Sequence, residues 1–481
     1  MQSYPYVFRR TTNWAIFLAS CLAGLGLGRL PFAWGLPLAT ASGLLLLLGI
    51  KLRRLFPLAL VVFGVTLGGW RGATYLTYVK RYDSIYKQTV VVIGVAQDDA
   101  IYGDKSQLSF GLGKLHVVDP EQLDLAGKVG VKGFGEYMVY KGDSVQITGK
   151  LRPTRGANQA TTSFAKIRVL GSSHSKIEQI RRRFEAGIHS ALPEPAGSFG
   201  LGLLVGLRSS IPLYVNQQLS TVGLSHVVAV SGYNLTIILR AVRRLLKRRS
   251  KYQATIVSLL LIGMFLLFTG LSASIVRAAL VSSLSLWAWY YGRSFRPIVL
   301  ILLVATTTAW LNPLYLWSDI GWYLSFLAFF GVMIIGPMLG ARLFKGRPPK
   351  LLASLIIETS SAQIMTIPII LYIFGQFSVI ALVANILVVP LVPLGMLGSL
   401  LAGMAGMITV TVAGWAAWPA RLLITYMLDV VSALSHLPKS SIALSFSLVQ
   451  MICSYAIVLV ITMVLWLKNR GKHGTIKSQQ V

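Results

Sequence analysis

The chain alternates long apolar segments with one polar stretch, and this pattern predicts a membrane protein with an inserted β domain. Most apolar segments approach the ~20 residues that a helix needs to span a bilayer. The predicted membrane segments are 14–30, 36–50 and 55–78, and then 224–242, 252–270, 272–291, 297–311, 318–340, 352–374, 378–409, 411–434 and 444–467.

Between residues 80 and 175 the pattern changes to short alternating runs punctuated by Gly and Asp: VVVIGVA, QLSFGLGKLHVV, KVGVKGFG, SVQITGKLRP and FAKIRVLG. Five short strands in such a stretch predict a small OB-like β-barrel. Barrels of this kind often bind nucleic acid strands through basic and aromatic residues on one face. The alternative is a structural cap whose charges are merely solvated. The candidate contacts are Phe110, Lys114, Phe134, Lys150, Arg152 and Arg155.

Residues 176–192 have the period of an amphipathic helix. This pattern predicts a helix lying on the outer membrane surface. The basic run Arg181, Arg182 and Arg183 lies beside the apolar face, where it either meets an anionic ligand or anchors to lipid phosphate. The apolar face is formed by Ile177, Ile180, Phe184, Ile188 and Leu192.

Two regions of the second apolar block break the helical pattern. Segments 196–207 and 213–222 are too short to span and are separated by Pro212, which predicts a re-entrant helical pair. Pro390 and Pro393 interrupt segment 378–409 and predict two half-helices. Broken helices at membrane depth are a recurrent way to build transport sites.

Composition agrees with this architecture. The chain has 481 residues, of which 54% are hydrophobic and 12% charged, and its mean hydropathy is +0.67, as in polytopic membrane proteins. Lys/Arg clusters account for much of the net charge of +30. Under the positive-inside rule they place both termini in the cytoplasm and residues 80–175 outside the cell membrane. Acidic residues are scarce after residue 176, which favours a polyanionic or neutral cargo over a cation.

Signatures of several enzyme classes are missing from the sequence. There is no Walker A loop and no Gly-x-Ser-x-Gly motif. The six histidines are scattered, and Cys21 and Cys453 have no metal-binding spacing. We therefore predict a protein that is not an enzyme and that holds neither a metal nor a cofactor.

Polar residues inside apolar segments are functional candidates because lipid makes them costly. Arg277 either contacts phosphates along a passage or pairs with a carboxylate such as Asp319. Asp319 also has the position of a helix N-cap. The stretch GLSHVVAVSGYN from Gly223 to Asn234 either lines the polar wall of a conduit or belongs to a helix pair that packs closely through Ser and Gly. A lone His226 is more often a hydrogen-bonded core residue than a ligand.

Several motifs, in order, resemble the ComEC family, the inner-membrane DNA-uptake channels of natural transformation. The most specific is GLLVGLRSSIPLYVNQQLSTVGLSHVVAVSG at 202–232. The others are GVTLGGWRGATY at 64–75, GDSVQITGKL at 142–151, IVRAAL at 275–280, DIGWYLSFLAFFG at 319–331, AQIMTIPIILYIFGQFS at 362–378 and LVANILVVPLVP at 382–393.

The resemblance implies that a single DNA strand passes from the outer face to the cytoplasm. It further implies a separate DNA receptor, a separate nuclease and a cytoplasmic DNA-translocating ATPase as partners, besides membrane lipids. The chain resembles the form without the C-terminal metallo-β-lactamase-like domain. The chain departs from the family pattern at three points. Many members have an acidic residue where this chain has Leu207, and His where it has Asn234. Some members also have paired cysteines in the barrel, which this chain lacks. The path residues implied are Arg208, His226, Ser231, Asn234, Arg277, Asp319, Gln363 and Asn385.

Two other functions fit parts of the pattern. A secondary transporter for a small anionic or lipid-like substrate would use the broken helices as its binding site. A membrane enzyme acting on lipid-linked substrates would need convergent carboxylates or a metal, and the acids here are scattered. The expected domains are an N-terminal three-helix region (1–79), the OB-like domain (80–175), the amphipathic helix (176–195), the channel domain (196–467) and a basic cytoplasmic tail (468–481).

Overall fold

The structure of the chain is a computed structural model. Its secondary structure is mainly helical, with one β domain between the third and fourth helices. The structure describes residues 10–51, 55–102, 107–136, 138–153, 158–172, 176–206, 211–228, 235, 239, 242–244, 246, 250–269, 273–293, 296–344 and 349–470.

Among the described residues, six helices are long and apolar enough to cross a membrane. The helices preceding residue 300 are α1 (Arg10–Leu27), α2 (Leu36–Lys51), α3 (Phe56–Lys80), α4 (Lys176–Ala191), α5 (Ala196–Val205), α6 (Leu213–Thr221), α7 (Ser225–Val228), α8 (Lys251–Thr269), α9 (Ala273–Tyr290) and α10 (Pro297–Leu311). Those that follow are α11 (Leu314–Ser318), α12 (Ile320–Phe330), α13 (Gly336–Leu343), α14 (Leu351–Phe374), α15 (Ala381–Val388), α16 (Val392–Ile408), α17 (Val410–Ser435) and α18 (Leu448–Arg470).

The predicted strands form a closed five-stranded barrel. Strands β1, β5, β6, β4 and β3 are neighbours in that order, and β1 also pairs with β3 to close the ring. The β4–β6 pair is parallel and the other pairs are antiparallel. This is the Greek-key order of an OB-fold. The strands are β1 (Thr89–Ala96), β2 (Ile101–Tyr102), β3 (Leu108–Asp119), β4 (Leu123–Phe134), β5 (Ser144–Pro153) and β6 (Ala160–Gly171).

The chain divides into two compact units, and the first comprises Met1–Gln179 and Ile298–Trp322. Within it, α3 packs closely on α1 because glycines allow the backbones to approach. A methyl group at Gly64 would lie 2.8 Å from the Ser20 side chain. Trp317 of α11 donates its indole N–H to the Leu25 carbonyl oxygen of α1 at 2.9 Å.

The barrel is joined to α3 through Gln159, which is 8% exposed. Its amide nitrogen donates to the Tyr75 hydroxyl of α3 at 2.6 Å, and its carbonyl oxygen accepts the Lys128 N–H at 2.5 Å. Two tyrosines of the connection from α3 to β1, Tyr82 and Tyr86, pack on the barrel core. Burial raises the pKa of both phenols, so they remain neutral. Tyr86 donates its hydroxyl proton to the Gln159 backbone oxygen at 3.0 Å.

The second unit comprises Ile180–Pro297 and Tyr323–Val481. One buried apolar cluster joins α4 to α7 with α15, α16 and α17. Gly187 of α4 lies against Gly403 and Gly406 of α16. A small two-stranded antiparallel sheet also pairs two three-residue strands, β7 (Gln376–Ser378) and β8 (Ser441–Ala443).

The structure confirms the predicted fold class, a polytopic helical membrane protein with an inserted OB-like barrel. The break at PLVP is smaller than expected: a 3₁₀ turn at Val389–Leu391 joins α15 to α16, so Ala381–Ile408 stays one helical segment. Pro390 lies in the first turn of the 3₁₀ segment and Pro393 in the first turn of α16, where a missing N–H is tolerated. Most of the predicted crossing 224–242 lies outside the described residues.

Candidate functional site

Arg277 lies on α9 in the second unit and is 5% exposed. Its neighbours Ala278 and Ala279 are also buried. The guanidinium carbon lies 4.9 Å from the centre of the Phe326 ring on α12. A cation over an aromatic face is attracted by the ring quadrupole, and more strongly when water is excluded. The structure therefore holds a permanent positive charge inside a helical bundle, as the sequence predicts.

Asp319 caps the start of α12. Its carboxylate oxygen accepts the Gly321 N–H at 2.9 Å and lies 3.4 Å from the Trp322 nitrogen. A side-chain oxygen in this position satisfies amide groups that have no partner within the helix. The N-cap interpretation is confirmed, whereas contact of Asp319 with a cargo stays a prediction.

Gln363 and Asn385 lie on neighbouring helices, α14 and α15. Asn385 is 6% exposed and donates its amide to the Ala381 backbone oxygen, one turn earlier, at 2.8 Å. Gln363 is half-buried. The hydroxyls of Ser361 on α14 and Ser399 on α16 are buried, and neither has a hydrogen-bond partner within the described part of the chain. Buried polar atoms of this kind need water or a ligand to satisfy them.

The polar segment at the start of the channel domain is only partly described. His226 of α7 is exposed, and its Nδ1 lies 3.1 Å from the Gly223 carbonyl oxygen. The expected hydrogen bond is present, but the expectation of a core position is wrong, because the side chain is exposed. Three other predicted path residues, Arg208, Ser231 and Asn234, lie outside the described residues. Within the described ranges, no three His, Cys, Asp or Glu side chains form a metal-binding group.

The barrel candidates divide into exposed and buried residues. Lys114, Phe134, Lys150 and Arg152 are exposed, while Arg155 lies outside the described residues. Phe110 is 5% exposed and belongs to the barrel core, so its predicted role as a surface contact is wrong. The reason is the strand alternation, which turns Phe110 inward together with Leu108 and Leu112.

Helix α4 is amphipathic, but much of its apolar face packs on protein. Phe184 is 7% exposed and Ile188 is fully buried, and both lie in the cluster that contains α16. Arg181 is 4% exposed, and its Nε donates to the Glu185 carboxylate at 2.9 Å. The prediction that Arg181 faces an anionic ligand is therefore wrong, while Arg183 is exposed. The position of this helix at a membrane surface stays a prediction.

Comparisons with known proteins agree with the motif-based resemblance. Residues 203–469 match the family described as Competence protein. The chain is also 25% identical over 286 residues to ComE operon protein 3 of Bacillus subtilis (strain 168), a match that covers 55% of this chain and 36% of that protein. The chain thus spans about a third of the length of this relative. No solved structure matches. Because the family match covers more than half of the sequence, the chain belongs to the competence protein family, the ComEC-type membrane proteins that its motifs predict.

Proposed function

We propose that this protein forms a passage through which one strand of DNA crosses the cell membrane into the cytoplasm during natural transformation. The observation that carries the proposal is the family match over 203–469, because competence is the state in which cells take up DNA. The matched range contains all eight residues assigned to the path: Arg208, His226, Ser231, Asn234, Arg277, Asp319, Gln363 and Asn385.

The physical properties of the second unit support a polyanionic cargo. A DNA strand carries one negative charge per phosphate, so its passage through lipid needs cationic contacts and polar walls. Arg277 supplies the positive charge of its guanidinium group. Buried hydroxyls at Ser361 and Ser399 lie on helices α14 and α16 of the same unit. Arg277 is therefore the residue that we assign most directly to contact with DNA phosphates.

The proposed arrangement has both termini in the cytoplasm and the OB-like barrel outside, from the distribution of Lys and Arg. In that orientation the strand meets the barrel side first. The proposed partners are a DNA receptor outside, a nuclease and a cytoplasmic ATPase. A separate ATPase is proposed because no Walker A motif, which ATP-driven translocation would use, is found in this sequence.

The experiment measures entry of labelled DNA into a strain that lacks its own channel and expresses this chain. Arg277→Met keeps much of the side-chain volume and removes the charge. A hydrogen bond to a charged group contributes about 1.5–3 kcal/mol, so we expect entry to fall by about tenfold or more. Arg277→Lys keeps the charge and should retain part of the activity.

The matched control is Arg71→Met. Arg71 also lies on a membrane helix, α3, with its guanidinium 5.5 Å from the centre of an aromatic ring, that of Tyr75. Membrane abundance of every variant is measured beside DNA entry. Normal DNA entry with Arg277→Met at normal abundance contradicts the assignment of this residue. If the wild-type chain restores small-anion uptake but no DNA entry, the passage itself is refuted and the transporter function replaces it.

A further inference from the structure

The outer surface of the barrel carries two exposed phenylalanines in contact with each other. Phe134 at the end of β4 is 42% exposed, and Phe164 in β6 is 70% exposed. Their ring centres are 6.4 Å apart and their planes are inclined by 35°. Exposed aromatic surface is unfavourable in water, so a contiguous pair on a small barrel points to a ligand.

The exposure of Phe164 results from a local irregularity in β6. In the β4–β6 pairing, Val131 faces Thr162 but Gly133 faces Ala165, so β6 contains one extra residue. Phe164 takes a left-handed backbone conformation with φ of 59°, which is costly for an aromatic residue. Because Thr162 is buried, regular alternation would also turn Phe164 inward. The β-bulge re-aims its ring outward.

Cations surround the pair. The strand register places Lys166 opposite Phe134, and Arg168 and Lys132 are exposed on the same two strands. The adjoining strand β5 adds exposed Lys150 and Arg152. Strands β5 and β6 contain no acidic residue. The surface is therefore aromatic in its centre and mainly positive around it; Glu136, two residues after Phe134, uses its carboxylate to accept the Val169 N–H at 3.0 Å.

We propose that Phe134 and Phe164 form a base-stacking platform for single-stranded nucleic acid, with Lys132, Lys166 and Arg168 contacting its phosphates. Aromatic rings among cations are the features that bind single strands irrespective of sequence. The proposal deepens the DNA passage proposed above and rests on it for its biological role. In the OB-fold, oligonucleotides usually bind on the second and third barrel strands, here β3 and β4. The platform instead joins the third and fifth strands.

A lipid surface is the competing occupant, and the composition of the aromatic pair disfavours it. Trp and Tyr, whose rings carry a polar atom, are the aromatic residues that concentrate at membrane interfaces. The platform itself contains only Phe. Bases stack on phenylalanine without needing a polar group on the ring.

The test uses the full chain in nanodiscs of zwitterionic lipid and a fluorescent oligothymidylate of about 12 nucleotides, within the range of OB-fold site sizes. Binding is followed by fluorescence anisotropy. Stacking on one aromatic residue contributes about 1–3 kcal/mol, so Phe164→Leu and Phe134→Leu should each weaken binding by about fivefold or more. Lys166→Gln should reduce the slope of log affinity against log salt by about 0.7. Val118→Ala, at an exposed apolar residue of β3, is the matched control and should bind normally.

A second variant separates loss of the ring from loss of folding. Phe164→Gly removes the ring and also relieves the left-handed backbone, so it should fold at least as well as the wild type and still bind weakly. Unchanged affinity in Phe164→Gly and Phe164→Leu overturns the platform.

The occupant is identified with p-benzoylphenylalanine at position 164. Ultraviolet crosslinking should yield an oligonucleotide adduct, and a lipid adduct in its place refutes the proposal. The DNA passage is tested separately from the platform. If the wild-type chain fails to restore DNA entry while oligonucleotide binding still depends on Phe164, the platform is supported and the DNA passage is refuted.

Discussion

Replacing Gly187 by Ala tests the contact between α4 and α16. A methyl group at this position would lie 2.6 Å from the Gly403 carbonyl oxygen and 2.9 Å from the Met407 nitrogen. Both atoms belong to the backbone of a helix, so neither moves out of the way by a side-chain rotation. Two helices of the second unit must therefore separate to admit one methyl group.

Overpacking of this kind usually lowers stability by about 1–3 kcal/mol. Alanine is intrinsically the better helix former by about 1 kcal/mol, and this partly offsets the clash. Since 1 kcal/mol shifts the thermal midpoint of a domain of 150–250 residues by about 2–4 °C, we expect a decrease of a few degrees. Gly187→Leu should lower the midpoint further because its side chain has no space against Gly406.

The assay is the thermal midpoint of the purified protein in detergent, followed by size-exclusion chromatography with fluorescence detection. Gly414→Ala is the matched control, because a methyl group there meets no atom within 4 Å. It should leave the midpoint unchanged or raise it. If Gly187→Ala is as stable as Gly414→Ala, the close approach of α4 to α16 is wrong.

Three further predictions concern polar contacts and use the same thermal assay. Asp319→Ala removes the helix cap and should lower stability by about 1 kcal/mol, while Asp319→Asn should not; equal midpoints for the two variants would exclude a capping role. Gln159→Ala breaks the bonds to Tyr75 and to the Lys128 N–H and should lower stability by about 1–3 kcal/mol, and a wild-type midpoint contradicts this. Glu185→Gln removes the carboxylate charge that pairs with the buried Arg181 Nε and should lower the midpoint more than Glu121→Gln at an exposed position, so similar midpoints speak against the ion pair.

The barrel could be predicted from the sequence because its strands are short, alternating and separated by turn residues. The alternation also identifies the core, for example Val129 and Val131 of β4. It fails at Phe164, since a one-residue bulge reverses the alternation without any change in composition. Regular alternation also places Phe110 inside, so the predicted surface contact at this residue disagrees with the strand pattern itself.

In the membrane region, the buried charge of Arg277 and the cap at Asp319 could be predicted, because polar residues stand out among apolar ones. Whether an apolar helix face packs on lipid or on protein could not be predicted from the sequence. The pattern of Phe184 and Ile188 fits lipid and protein equally well, and only the fold shows that they pack on protein. The β7–β8 sheet pairs three-residue strands that are far apart in sequence and too short to produce a pattern.

One turn between α12 and α13 has a consequence for the whole second half of that membrane segment. Residues Gly331–Ile335 form a π-helical turn, which holds one residue more than an α-helical turn of the same height. Each residue advances a helix by about 100°, so the insertion rotates every side chain of α13 by that angle relative to α12. Gly331 at this point lies against the Ser361 backbone of α14, where any larger residue would collide. Deleting one residue from this turn would thus leave the span equally apolar yet present the wrong stripe of α13 to its neighbours.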